Sequence, residues 1–182
     1  ETATTDAYLT PLLQAHVRRL ESALPGARLA FMQSSGGLTD ARRFRGPGAL
    51  LSGPAGGVVG AVESTRELGT RRLIAFDMGG TSTDASRFDG DYEYLFEHRV
   101  GGATLAAPAL LIETVAAGGG SICWHEGRQI KVGPESAGAD PGPACYRRGG
   151  PLTVTDCNVM LGRLQPAHFP AVFGPMANQP LD

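Results

Sequence analysis

The sequence predicts a mixed α/β fold, loop-rich, with a mixed sheet and packing helices. Three observations carry that expectation. The apolar run Leu73 to Phe76, bounded by Arg71 and Arg72 on one side and Asp77 on the other, reads as a buried strand. Tyr8, Leu9, Leu12, Leu13, Val17, Leu20 and Leu24 recur at helical spacing. The 26 glycines and 13 prolines interleave with apolar segments, which indicates many turns rather than disorder.

Length and charge narrow the function classes. The 182 residues allow one good core, or one domain with an appendage. With 16 basic against 18 acidic residues there is no electrostatic footprint for nucleic acid. Lys131 is the only lysine and no GxxxxGK[ST] pattern occurs, so a lysine-dependent P-loop is excluded. Cys123, Cys145 and Cys157 are odd in number and lack CxxC spacing, which fits a reduced, cytoplasmic setting. No run of about 18 apolar residues is present, so no membrane span is expected. Glu1 and Asp182 both look like cut ends of a longer chain.

Taken in order, a helix is expected over Tyr8 to Leu24, with Thr10 as its cap, Pro11 in its first turn and Pro25-Gly26 as its stop. Arg28 to Gln33 reads as a short strand. The Ser34–Gly37 loop after it is either a plain turn or an opening toward a ligand. Ser52 can cap a helix that begins near Pro54. Gly56, Gly57 and Gly60 within it each cost about 1 kcal/mol relative to alanine, tolerable where another backbone packs closely.

Two glycines after Asp77 let the chain fold back, and Thr81 to Arg87 alternates like a returning strand. Such a hairpin offers amide hydrogens at its tip and a carboxylate at its root. Glycine-turn amides can cradle phosphate oxygens, and a nearby carboxylate can hold Mg²⁺ through water.

Tyr94 to Val100 reads as a third strand. Thr104 then starts a buried helix over Ala106 to Ala117, ended by Gly118-Gly119-Gly120. Three glycines exceed the needs of one helix end, so close approach to a ligand competes with a mobile junction. Ser121–Trp124 and Gln129–Val132 form a hairpin. Cys123 and His125 share one strand face, but nothing supplies zinc spacing with Cys145 or Cys157. Gly133 to Gly150 is irregular and rich in reactive side chains, as a site-forming loop would be. Leu152–Val154 is a short strand, Thr155-Asp156 caps a helix over Asn158 to Leu164, and the tail with four prolines is expected to lack independent structure.

Phe76-Asp77-Met78-Gly79-Gly80-Thr81-Ser82-Thr83-Asp84 resembles the second phosphate motif of the hydantoinase/oxoprolinase family. The resemblance continues through Ser52–Val58, Ala117–Ile122, Val132–Gly138, Pro141–Tyr146 and Thr153–Asp156. It implies an actin-like (ribonuclease H-like) ATPase lobe, incomplete here. Residues 1–26 would be a helix left from a preceding region, 27–164 part of the second lobe, and 165–182 a truncated tail. A missing N-terminal lobe with its own phosphate motif and a companion hydantoinase B-type subunit or fused domain are implied as partners. So are ATP and Mg²⁺ as cofactors and a small-molecule cyclic amide as substrate; neither nucleic acid nor membrane is. The activity implied is ATP-dependent hydrolysis of a lactam or hydantoin; the alternatives are a subunit of an ATP-dependent ketone carboxylase, or a non-catalytic nucleotide-binding module.

On that resemblance Asp77, Gly79, Gly80, Thr81 and Thr83 are expected at the phosphates, with Asp77 toward the metal. Asp84 is expected as the catalytic carboxylate, or to orient the hairpin, and Gly118, Gly119, Gly120 and Ser121 are expected near the nucleotide. Two departures bear on the substrate: Arg147 stands where the family usually has glycine, and Thr104–Ala107 lacks an expected arginine.

Overall fold

The protein's structure, a computed structural model, describes residues 1–182. It divides into two compact units: Glu1–Phe76 with Ala85–Glu113, and Asp77–Asp84 with Thr114–Asp182.

In the first unit, helix α1 (Thr2–Ala23) begins six residues before the expected start, so Pro11 lies inside it. Thr10 is therefore no cap. Its buried hydroxyl donates to Asp6, one turn back, and accepts the Gly46 amide at 2.9 Å. Strands β1 (Ala30–Met32) and β2 (Leu38–Asp40) form an antiparallel hairpin. Its loop is a structural knot: Ser34 is fully buried, and its hydroxyl bonds the Gly48 carbonyl and the Leu51 amide, both at 3.0 Å. After the short helix α2 (Gly46–Ala49), helix α3 (Ser52–Arg66) starts near the expected point and buries Ala55, Val58 and Val62, but its N-cap is Leu51, without a side-chain cap bond, rather than Ser52. Val17, Ala41 and Phe44 form one core cluster, and Ala55, Val58 and Leu110 another.

Strands β3 (Arg72–Met78) and β4 (Thr83–Asp89) are the expected central hairpin, but β3 is not the buried strand expected, since Ile74 and Phe76 are exposed. The third expected strand is broken at Phe96-Glu97 into β5 (Tyr94–Leu95) and β6 (His98–Val100). The helix expected over Ala106–Ala117 is absent. Instead β7 (Ala103–Leu105) pairs with β6 and β8 (Ala109–Leu110) pairs with β5. The reason is tertiary. The Leu110 amide donates to the Ser34 carbonyl at 2.8 Å and the Leu111 amide to the Glu93 carbonyl at 2.9 Å, so backbone partners from segments distant in sequence replace intrahelical ones. A short apolar run does not by itself distinguish buried strand from buried helix.

Strand β9 (Glu113–Val115) completes the order β3-β4-β9. In the second unit β10 (Ser121–Glu126) and β11 (Gln129–Ser136) make a longer hairpin than expected, taking the start of the irregular loop into a strand. Helix α4 (Val154–Met160) begins four residues before the expected Asn158. Thr153 is its N-cap, and Asp156 closes a reciprocal capping box rather than acting as the cap. The tail is not loose: Phe173 and Leu181 are buried with Cys145, Phe173 bridges Gln179, and the Asp182 amide donates to the Cys145 carbonyl at 3.1 Å.

Candidate functional site

The tip of the β3–β4 hairpin is closed by the Gly79 amide, which donates to the Ser82 carbonyl at 2.9 Å. Gly79 thus shapes the turn, and its N–H is not available to a ligand. The next two amides, of Gly80 and Thr81, donate no hydrogen bond within the turn or to the 118–120 loop. Gly80 and Thr81 are exposed.

Two carbonyls of the same turn are held by the 118–120 loop. Gly79 accepts from the Gly119 amide at 2.9 Å, and Gly80 from the Gly120 amide at 2.7 Å. Both peptides are trans, so each N–H points opposite its own C=O. With the carbonyls turned to the 118–120 loop, the Gly80 and Thr81 N–H groups point away from it, outward. The tip therefore buries its acceptors and exposes its donors, a polarity suited to an anion. A methyl on Gly80 would meet nothing within 4 Å, which leaves room for phosphate oxygens.

The triple glycine has a definite steric cause. A methyl on Gly118 would lie 2.6 Å from the Gly79 carbonyl oxygen and 2.8 Å from the Ser82 nitrogen. One on Gly119 would lie 2.7 Å from Thr155 Oγ1, and one on Gly120 2.8 Å from the Gly80 carbonyl oxygen. Close approach is required here, but to the hairpin. The amides of the stretch are all engaged internally: Gly118 donates to Ser121 Oγ, Gly119 and Gly120 to the tip, and Ser121 to the Gly118 carbonyl. Gly118–Ser121 thus form a backing for the turn.

The side chains divide similarly. Thr83 is buried, and its hydroxyl donates to the Ala117 carbonyl at 2.6 Å, tying β4 to the backing loop. Asp84 accepts from Thr114 Oγ1 at 2.7 Å, which fixes its carboxylate on the neighbouring strand. Thr81 is exposed. Asp77 is also exposed and belongs to none of the molecule's ion pairs. No three His, Cys, Asp or Glu side chains gather as a metal cage. A cation at Asp77 would be completed by water and phosphate oxygens, the usual manner for magnesium.

Behind the backing loop lies a buried polar knot. Asp156 accepts from the Cys145 amide at 2.7 Å, the Thr153 amide at 2.6 Å and the Thr153 hydroxyl at 2.9 Å. Burial alone would raise its pKa, but these bonds together with the Cys145 thiol hold it below the usual carboxylate range. Burial first, and Asp156 beside it, push the Cys145 thiol up to about 12. Cys145 is therefore a neutral core residue and not a nucleophile. Of the other side chains in that loop, Asp140, Arg147 and Arg148 line an open groove of about 650 Å³ with Gly149 and Pro175. Arg147 pairs with Asp182 at 3.1 Å.

Sequence reasoning missed Thr155 and Ser82 as members of this assembly. The pattern Thr153-Val154-Thr155-Asp156 could have given the capping box, and with it the position of Thr155 in the first turn of α4.

The hydantoinase/oxoprolinase family model matches residues 1–182. A 5-oxoprolinase of Pestalotiopsis fici is 55% identical over 97% of the chain, which spans 14% of that protein. The crystal structure of the ATP-dependent caprolactamase from Pseudomonas jessenii superimposes with a TM-score of 0.74 at 33% identity, covering 98% of this chain and 27% of that one. Nucleotide-free acetone carboxylase gives 0.71 at 27% identity, covering 92% and 24%. The chain thus spans a small part of each relative's length.

Proposed function

The chain belongs to the hydantoinase/oxoprolinase family, and on that premise we propose that it forms part of the second actin-like lobe of an ATP-dependent enzyme that opens a cyclic amide. The observation that carries the proposal is the pair of amides at Gly80 and Thr81, turned away from the 118–120 loop, with the exposed Asp77 carboxylate on the same hairpin.

A lactam carbonyl resists water because its nitrogen donates into it. When bound, ATP would supply a phosphoryl group to the amide oxygen; water would then add to that carbon, the protonated ring nitrogen would leave to open the C–N bond, and a second water would release phosphate from the resulting acyl phosphate. This chain's residues contribute position and charge neutralisation. The Gly80 and Thr81 amides would hold phosphate oxygens. Asp77 holds Mg²⁺ through water, with the Thr81 hydroxyl facing the same solvent. Asp84, oriented by Thr114, is the carboxylate placed to direct water. Gly118–Ser121 and Thr83 keep the turn in register without touching the nucleotide.

The substrate class follows the 5-oxoprolinase and caprolactamase likeness, both named for ring amides. A companion subunit is proposed because the caprolactamase relative is described as a subunit alpha. No helix is long and apolar enough to cross a membrane, and with three free cysteines a cytoplasmic setting is proposed. The acetone carboxylase likeness favours a second reading, an ATP-dependent ketone carboxylase subunit. Phosphate release by the full-length protein separates the two. Stimulation by 5-oxoproline or a hydantoin supports the amidase; stimulation only by a ketone with bicarbonate overturns it.

A further inference from the structure

Thr155 stands at the start of a hydrogen-bonded chain that ends on a phosphate-facing amide. Its hydroxyl donates to the Gly119 carbonyl at 2.9 Å, and its own amide donates to the same oxygen at 2.8 Å. That carbonyl shares a peptide plane with the Gly120 N–H, which donates to the Gly80 carbonyl at 2.7 Å. The Gly80 carbonyl in turn shares a plane with the Thr81 N–H. Peptide planes are rigid, so a shift at Gly119 is carried to Gly120 and on to the tip. Serial hydrogen bonds also polarise one another, which makes the terminal N–H a better donor.

We propose that Thr155 is a positioning residue for the phosphate-binding turn, acting on the Thr81 amide through the Gly119–Gly120 peptide. It presupposes the nucleotide reading above and adds a residue that touches neither phosphate nor substrate. Capping does not account for its hydroxyl, since the cap of α4 is Thr153 and the capping box closes through Asp156. Nor does core packing, because the hydroxyl's acceptor is a backbone oxygen of the loop that backs the tip.

Valine is the informative replacement. Its second methyl would take the place of Oγ1 at 2.9 Å from the Gly119 oxygen, inside the roughly 3.3–3.6 Å at which carbon meets a carbonyl oxygen. Thr155→Val therefore removes one bond and pushes the Gly119 carbonyl away. Thr155→Ser keeps the bond.

The test measures binding of a non-hydrolysable ATP analogue and melting temperature in the full-length protein. Thr155→Val is expected to weaken binding by roughly fivefold, the worth of one hydrogen bond, with Thr155→Ser restored to within about twofold. In turnover the loss is expected in KM for ATP more than in kcat. Wild-type affinity in Thr155→Val, or a lowered melting temperature with affinity unchanged, would overturn the proposal while leaving the nucleotide reading intact. Failure of the wild type to bind the analogue removes both. Should Thr155→Val not fold, hydrogen exchange on the wild type decides. The analogue must slow exchange of the Gly119 and Gly120 amides, and unchanged exchange contradicts the relay.

Discussion

Gly80 and Gly118 lie on opposite sides of one turn, and their surroundings predict opposite responses to the same added methyl. At Gly80 nothing lies within 4 Å, so Gly80→Ala is expected to change stability by no more than about 0.5 kcal/mol. At Gly118 the methyl would meet the Gly79 oxygen at 2.6 Å and the Ser82 nitrogen at 2.8 Å, all backbone that cannot swing aside. Gly118→Ala is expected to cost about 1–3 kcal/mol, the range for overpacking, read as a shift in the midpoint of denaturant unfolding. Equal midpoints for the two variants would contradict the close approach. The cysteines allow another check at this scale. With its thiol pushed up to about 12, Cys145 is expected to resist iodoacetamide at pH 8 until the protein is unfolded, as mass spectrometry would show. Rapid native labelling of Cys145 would place it outside the core.

At the scale of elements, the Thr153–Asp156 capping box joins α4 to the Cys145 turn, and its stability depends on pH with a definite sign. The folded carboxyl titrates below its ordinary value, so its contribution is fully present above that value, about 3.9. It is lost as pH falls through the lower folded value. Asp156→Asn is therefore expected to be least stable relative to wild type near neutral pH, by on the order of 2–4 kcal/mol for a buried acceptor of several donors. The gap is expected to close in strong acid. A gap independent of pH would contradict the charged acceptor.

The same elements indicate what could be read from sequence. The β3–β4 hairpin was legible because an apolar run, an acid and two glycines mark strand, stop and turn within a few residues. The β10–β11 hairpin was legible for a similar reason. The region 106–117 was not, since Ala109 and Leu110 are strand residues only by virtue of Tyr94, Leu95 and the buried Ser34 loop, all distant in sequence. For the site, the motif located the turn but did not reveal which amides were spent on closing it. Gly79, Gly119 and Gly120 look equivalent to Gly80 in sequence, and only hydrogen-bond partners separate them.

For the whole molecule, the chain's 14% share of its 5-oxoprolinase relative places turnover assays on the longer protein. Gly80 faces open space, so a large side chain there is expected to obstruct the space beside the turn rather than disturb the fold. The most direct measurement is calorimetric titration of the full-length protein with a non-hydrolysable ATP analogue, comparing wild type with Gly80→Arg at matched melting temperatures. Saturable binding by the wild type and its loss in Gly80→Arg is the expected result. Equal affinity in the two proteins would contradict the assignment of the Gly80 and Thr81 amides to phosphate.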